Sequence, residues 1–206
     1  MRRPSATDLL CIAGPPLLLA GLGLTHPMDL TMQSASWWRN LHVVLLPIFP
    51  LLVLGPWIVV RHEHRALRWL VGVLGFAYAI FYTALDVLAG IGAGALKQAG
   101  AGPDWTSVMF GQGGHLSHYG VWALLASTVV AAAVALRRAG PAAAPGAVFV
   151  VVAAWLFLDS HIYWPKGGLA MIAFALGWTL LTLALANRAE AGPVRTAAAA
   201  TTPPGP

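Results

Sequence analysis

Charged residues are scarce in this sequence. Asp, Glu, Lys and Arg make up 9% of its 206 residues, whereas hydrophobic residues make up 58%. A soluble domain carries about 25% charged residues, because its surface faces water. A chain with so few charges cannot cover a soluble surface of this size, and lipid is the alternative solvent. The composition therefore excludes an ordinary soluble domain and predicts a lipid bilayer as the partner of this chain.

Cysteine and the common catalytic motifs are also missing or nearly so. Cys11 is the single cysteine, so one chain cannot form an internal disulfide, a CxxC redox pair or a thiolate metal cage. HExxH, the GxSxG nucleophile elbow, the Walker A loop and the dinucleotide-binding glycine motif do not occur. The net charge of +5 does not indicate a nucleic-acid partner, because the arginines stand beside apolar runs, where membrane orientation explains them.

Long apolar runs account for most of the chain. A membrane-spanning helix needs about 20 mostly apolar residues, and six runs reach or approach that length. The predicted spans are residues 9–24, 41–60, 67–91, 119–136, 146–163 and 168–186. We expect an all-α, polytopic membrane bundle of six helices in one domain, residues 1–188, or of five helices if the first run is a cleaved signal peptide. Residues 189–206, rich in Ala, Thr and Pro, are predicted to form a disordered cytoplasmic tail.

Basic residues predict the orientation of these helices. One side of the predicted spans carries Arg2, Arg3, Arg61, Arg65, Arg68, Arg137, Arg138, Arg188 and Arg195. The other side carries Arg39, Lys97 and Lys166. The positive-inside rule then places both termini of a multi-pass cell-membrane protein in the cytoplasm. The outward connections are residues 25–40, 92–118 and 164–167, and we expect the second to be a long Gly-rich loop, either disordered or functional.

Histidine and aspartate concentrate at the outer end of the predicted helices. Ionisable groups in or near hydrocarbon are costly, so they indicate a functional site by default. The residues that share this end are His26, Asp29, His42, Asp86, His115, His118, Asp159 and His161.

Asp86 lies inside the third predicted span. Tyr78 and Tyr82 precede it at steps of four residues, so the three side chains share one helical face. A carboxylate at the centre of a span costs roughly 2.5 to 3.5 kcal/mol, so this face is predicted to point into the bundle. We expect Asp86 to act as a ligand or proton acceptor. The alternative is a structural aspartate that is hydrogen-bonded to a neighbouring helix.

Four histidines are candidate metal ligands. His115 and His118 stand at i, i+3, a spacing that puts two imidazoles on one helical face. His42 opens the second predicted span, ahead of a segment that two prolines loosen, and His161 closes the fifth. Neutral imidazoles bind Zn, Cu or Fe. The alternative for these residues is a histidine that merely solvates the end of a helix.

Two further positions complete the polar set. Asp159 precedes His161 by two residues, so a regular helix would direct the two side chains apart unless it unwinds near Ser160. Asp159 is predicted to be a catalytic carboxylate, or one that orients a ligating imidazole. His26 and Asp29 lie in the first outer connection, where we expect a solvated histidine, with ligation from above the helices as the alternative.

Three function classes are compatible with this set. The first is a membrane-embedded metalloenzyme, a hydrolase or an oxidoreductase, with Zn, Fe or Cu and a lipid or other small-molecule substrate. Its predicted site comprises His42, His115, His118 and His161 as metal ligands, with Asp86 and Asp159 as catalytic carboxylates. The set resembles that of membrane lipid hydrolases of the ceramidase type, although the histidine pair of that group, with three residues between its members, is absent.

The second class is a transporter or accessory subunit that binds a proton, a metal or a small solute. The third is a b-type haem protein, in which His42 and either His115 or His118 are the axial ligands. Nothing in the sequence indicates an oligomeric state.

Overall fold

Helices make up nearly all of the folded chain. The computed structural model describes residues 4–200, with side chains through residue 189. The chain is 84% helical, and the described residues include no strand. The α-helices are α1 (Ala6–Gly23), α2 (Ala35–Leu45), α3 (Leu54–Val60), α4 (Arg65–Leu85), α5 (Ala93–Gln98), α6 (Pro103–Ala139), α7 (Ala144–Ser160) and α8 (Lys166–Ala200). The prediction of an all-α bundle is confirmed.

Five helical runs are long and apolar enough to cross a membrane. They are Ala6–Gly23, Ala35–Val60, Arg65–Gln98, Pro103–Ser160 and Lys166–Ala189. The fourth run is 58 residues long and contains both α6 and α7, which pack against each other across a 3-10 turn at Gly140–Ala143. Helix α4 packs along α6, and α8 packs along both α7 and α1. This apolar helical bundle is consistent with a membrane protein.

Ion pairs link three segments of the chain at one end of the bundle. Arg61 binds Asp8 at 2.5 Å, which ties the turn after α3 to the first turn of α1. Glu63 binds Arg138 at 2.7 Å and Arg137 at 2.8 Å, which ties the same turn to the end of α6. The first turn of α1, the turn after α3 and the last turn of α6 therefore lie together, and the segments that follow α1 and α7 lie at the opposite end.

Two long helical runs change their winding at particular residues. The second run breaks after α2, where Pro47 and a 3-10 turn at Phe49–Val53 precede α3. Proline supplies no backbone N–H and clashes with the preceding turn, so the break lies where the sequence predicts a loosened helix. The third run passes from α4 into a π-helix at Asp86–Gly92 and then into α5. Single turns of π-helix are frequent at functional sites.

Two predicted segments differ from the structure. The prediction of a long loop over residues 92–118 is wrong, because α5 continues to Gln98 and α6 begins at Pro103. Proline is well placed in the first turn of a helix, since the N–H that it lacks would have no partner there. Helix α8 continues to Ala200, into the tail predicted to be disordered, where alanine favours helix. Residues 201–206 of that tail lie outside the described residues.

Candidate metal centre

Three histidines meet at the end of the bundle opposite the ion pairs. His26 lies between α1 and α2, His42 lies in the second turn of α2, and His161 directly follows α7. One ring nitrogen from each histidine lies within 4.8 Å of the other two. His26 is 7% exposed and His42 is 3% exposed, so the nitrogens converge inside the protein. We call these three residues the histidine cluster.

The rings of the cluster are in mutual contact. His42 and His161 are parallel, with ring centroids 5.8 Å apart and planes inclined by 5°. His26 stands edge-on to both, with centroid distances of 5.1 Å to His42 and 5.5 Å to His161. Trp38 and Tyr163 pack against the His26 ring at 4.8 Å and 4.5 Å. The cluster is therefore enclosed by aromatic side chains.

Hydrogen bonds from Nδ1 to backbone carbonyls set the tautomer of two of the three rings. Nδ1 of His26 donates to the Pro27 carbonyl at 2.7 Å, and Nδ1 of His42 donates to the Trp38 carbonyl at 2.8 Å. A carbonyl oxygen can only accept, so these two rings carry their proton on Nδ1 and the lone pair on Nε2. Nδ1 of His161 lies 2.6 Å from the Tyr82 hydroxyl and can donate to it in the same way.

The opposite ring nitrogens of two cluster histidines are buried without partners in the described part of the chain. Nε2 of His26 and Nε2 of His161 are buried, and neither has a hydrogen-bond partner among the described residues. Buried polar atoms are nearly always paired, so unpaired ones need an explanation such as an ion. Histidine ligands of metals characteristically donate their other N–H to a carbonyl or an acidic group, which is the arrangement at Nδ1 here.

The π-helix makes room for the His42 ring. A Cβ atom built on Gly90 would overlap that ring, so no other residue fits at this position without moving it. Next to Gly90, the Ala89 carbonyl accepts a hydrogen bond of 3.0 Å from the buried indole of Trp38. Helix α2 is therefore held close to the π-helix, and the ring of His42 has a fixed position.

His161 has an unusual backbone conformation. Its φ is +46°, and it is the one described residue other than glycine with a positive φ. Such a conformation costs on the order of 1 to 3 kcal/mol and persists only where the surrounding structure imposes it. The chain leaves α7 at this residue, so the conformation turns the imidazole inward at the point where the helix ends.

Burial favours the neutral form of His26 and His161, the two cluster histidines that lie in segments between helices. It lowers the pKa of His26, and it lowers the pKa of His161 well below 6.5, with further lowering by the charges of His42 and His26. Burial, with the charge of Asp29, raises the pKa of Tyr163 to about 12, so this phenol is not an anionic ligand at neutral pH. The two imidazoles are therefore in the state that binds metals.

Asp86 is buried nearby on the third helical run. It is fully buried, and both carboxylate oxygens lack a hydrogen-bond partner within residues 4–189. The expectation that this residue faces the interior agrees with the structure. The alternative of a structural aspartate bonded to a neighbouring helix has no such bond here.

Three candidate residues from the sequence lie outside the cluster. His115 and His118 are exposed on α6, where His115 contacts Tyr119 and Nδ1 of His118 bonds to the Gly114 carbonyl of its own helix. The reason is the rotation of α6, which turns Gly113 and Gly120 toward α4 and so turns both histidines away. Asp159 is 68% exposed and binds Lys166 at 2.5 Å, because α7 stays regular through Ser160.

His26 is the member that sequence reasoning missed. The expectation of a solvated histidine in the first connection is wrong, since the ring is buried against Trp38 and Tyr163. His26 lies three residues beyond α1, at the same depth as His42, and this shared depth is the feature of the sequence that could have predicted its place in the cluster.

The chain matches no protein-family model, no curated protein and no solved structure.

Proposed function

We propose that this protein is a multi-pass membrane metalloprotein that binds one transition-metal ion through Nε2 of His26, His42 and His161. The observation that carries this proposal is the convergence of three ring nitrogens within 4.8 Å, together with a hydrogen-bond partner for the Nδ1 of every ring. Three neutral imidazoles without a thiolate suit Zn²⁺ or copper best, with Fe and Ni as further ions that imidazole accepts.

The ligand number supports a reactive rather than a purely structural ion. Structural zinc sites have four protein ligands, whereas catalytic sites have three and leave one position for water or substrate. Bonds of about 2.0 to 2.1 Å in a tetrahedral site put ligand atoms roughly 3.3 Å apart. The three nitrogens, which lie within 4.8 Å of one another, would have to approach by at most about 1 Å each to ligate one ion. The open position would serve hydrolysis by a metal-bound water or redox chemistry at copper.

A haem group is a poorer occupant of the same space. The haem interpretation of the sequence takes His42 and either His115 or His118 as the axial ligands. His115 and His118 are both exposed on α6. Within the cluster, the ring of His26 contacts the rings of both His42 and His161 and fills the gap that a macrocycle would need. A single small ion fits between three touching rings, and a porphyrin does not.

The membrane topology is part of the proposal. We infer six crossings, with α6 and α7 as separate spans and α1 retained, because Glu63 holds the last turn of α6 to the turn after α3 at one end of the bundle. The arginine-bearing end faces the cytoplasm by the positive-inside rule, and the histidine cluster faces the outer side.

Metal analysis of the purified protein tests this function. The full chain, purified in detergent and loaded with Zn²⁺ or Cu²⁺, should retain about one ion after desalting. His26→Asn, His42→Asn and His161→Asn should each retain almost none, because two imidazoles hold such an ion far more weakly than three. His118→Asn is the matched control, since this histidine is exposed on α6, and it should bind like the wild type.

A Soret band in the purified protein would favour haem. Equal metal content in the wild type and in all three cluster variants would overturn the proposal and leave a proton or solute site as the better account.

A further inference from the structure

Asp86 carries an inference that rests on the proposed function. It is fully buried, and no Lys, Arg or hydrogen-bond donor in the described part of the chain pairs with it. Buried carboxyl groups are nearly always paired, because an isolated charge in an apolar interior is very costly. The chain therefore maintains an acidic group in its interior that no contact in the structure uses.

The position of Asp86 links it to the histidine cluster. Tyr82 lies one turn before it and shares the hydrogen bond with Nδ1 of His161. Gly90 lies one turn after it and abuts the ring of His42. Residues four apart on a helix are neighbours on one face, about 5 to 6 Å apart at Cβ. Asp86 thus lies on the helical face that touches the cluster at two points, and the π-helix begins at this residue.

A bound divalent ion would need a negative charge near the histidine cluster. Three neutral imidazoles contribute no negative charge, so a divalent ion bound to them would bring two uncompensated positive charges into an aromatic, low-dielectric site. An ion in such surroundings is stable only if a counter-charge lies close to it. Asp86 is the one fully buried acidic residue in the part of the chain that the structure describes.

We propose that Asp86 is the counter-charge of the metal centre, a neutral carboxyl in the metal-free protein that becomes a carboxylate when a divalent ion binds. The step balances simply. The ion enters from solvent with two positive charges, the carboxyl O–H bond breaks, and one proton leaves to solvent. Binding of Zn²⁺ therefore releases one proton per ion. Asp86 stabilises the bound ion by its negative charge and is not one of its ligands.

Few other titratable groups face this part of the third helical run. Tyr78 and Tyr82 share its face, His42 approaches from α2, and His161 approaches from the turn after α7. Helix α6 packs on the same run through Gly113 and Gly120, and its own titratable residues here, which are His115, His118 and Tyr119, are exposed. A neutral imidazole offers its free lone pair to the ion, so ligation by the histidines releases no proton.

Calorimetry of Zn²⁺ binding tests the inference in the full-length protein. Titrations at pH 7.5 in two buffers with different ionisation enthalpies give the number of protons released per ion. We expect about one proton for the wild type and none for Asp86→Asn, with affinity in the variant lowered about 10- to 100-fold. Asp159→Asn is the matched control, because Asp159 is an exposed carboxylate near the same end, and it should keep both values.

A wild type that binds Zn²⁺ without releasing a proton would overturn the inference, with no variant needed. Release of one proton by both the wild type and Asp86→Asn would also overturn it, because the proton would then come from metal-bound water. Unaltered melting of metal-free Asp86→Asn shows that the variant is folded. If the wild type binds no Zn²⁺, the proposed function itself fails, and that result is distinct from the other two.

Discussion

The Tyr82 hydroxyl lies 2.6 Å from Nδ1 of His161, although the two residues are 79 positions apart in the chain. This bond joins the third helical run to the turn between α7 and α8. When the imidazole donates the bond, its Nε2 presents a lone pair to the interior of the cluster. The orientation of the His161 ring therefore depends on a helix that contributes no histidine to the cluster.

Tyr82→Phe should weaken metal binding about 10- to 100-fold, because Nδ1 of His161 loses the acceptor that orients the ring. Tyr78→Phe is its matched control. Tyr78 is equally buried on the same face, and its hydroxyl has no partner among the described residues. Equilibrium titration with Zn²⁺ measures both affinities. Equal affinities of the two variants would contradict the assigned role of the Tyr82–His161 bond.

Gly90→Ala should abolish metal binding, because the new methyl group would occupy the space of the His42 ring. Gly111→Ala on α6 is the control, since a Cβ at that position meets no other atom within 4 Å. The control should bind metal normally and be more stable by up to about 1 kcal/mol, as alanine favours helix over glycine. Metal content after desalting and the melting temperature measure the two effects. Normal metal content in Gly90→Ala would show that the cluster does not need this close approach.

His161→Gly should be more stable than His161→Ala by on the order of 1 kcal/mol in the metal-free protein. Glycine adopts a φ of +46° without the strain that a Cβ introduces. The order should reverse at His118, in the regular helix α6, where the glycine variant should be less stable than the alanine variant. Thermal unfolding of the four variants in detergent compares them. The same order at both positions would argue against strain at His161.

Lowering the pH from 7.5 to 5.5 should destabilise the metal-free protein. The folded-state pKa values of His26 and His161 are lowered by burial, whereas both residues titrate near 6.5 in the unfolded chain. Below pH 6.5 the unfolded state therefore binds more protons than the folded state, and the free energy of unfolding falls as the pH falls. The double variant His26→Asn, His161→Asn should have a flatter dependence of melting temperature on pH, and His118→Asn should keep the wild-type slope. A melting temperature that is constant over this range would contradict the prediction.

Cysteine labelling should establish the orientation. In a Cys11→Ala background, a membrane-impermeant maleimide added to intact cells should label Gln98→Cys and leave Ala142→Cys unlabelled until lysis. Both positions are exposed, and Ala142 follows Arg137 and Arg138 at the end predicted to face the cytoplasm. Labelling of Ala142→Cys alone in intact cells would invert the orientation and would leave the geometry of the cluster unchanged.

The sequence predicted how deep each histidine lies along the bundle, but it said much less about which way each side chain points. His42 and His161 could be predicted as neighbours because each lies at the end of an apolar run, and the ends of packed helices meet at a common level. His115 and His118 lie at a comparable level, but their direction depends on how α6 is rotated. The polar and apolar residues of that helix do not separate into two faces, so its hydrophobic pattern does not identify an inward face. The small residues Gly113 and Gly120, which pack on α4, do identify it.

His26 illustrates a second limit of sequence reasoning. The connection between α1 and α2 has no periodicity, and its path depends on bonds that only the folded chain forms. One of these is the bond of 2.8 Å from the Trp37 indole to the Thr25 carbonyl. Another is the bond from the Trp164 indole to the Ala20 carbonyl at 2.9 Å, which holds the turn after α7 beside the end of α1. Such contacts bring distant segments together and have no local signature.

The spread of the cluster along the chain has a consequence for biosynthesis. His26 and His42 leave the ribosome early, whereas His161 emerges only after α7 has been made. A nascent chain therefore offers at most two of the three imidazoles until nearly all of its helices are in the membrane, and a pair holds an ion far more weakly than a trio. On the proposed function, metal capture would wait until α7 has been made, and a chain that ends prematurely before α7 would lack the third imidazole.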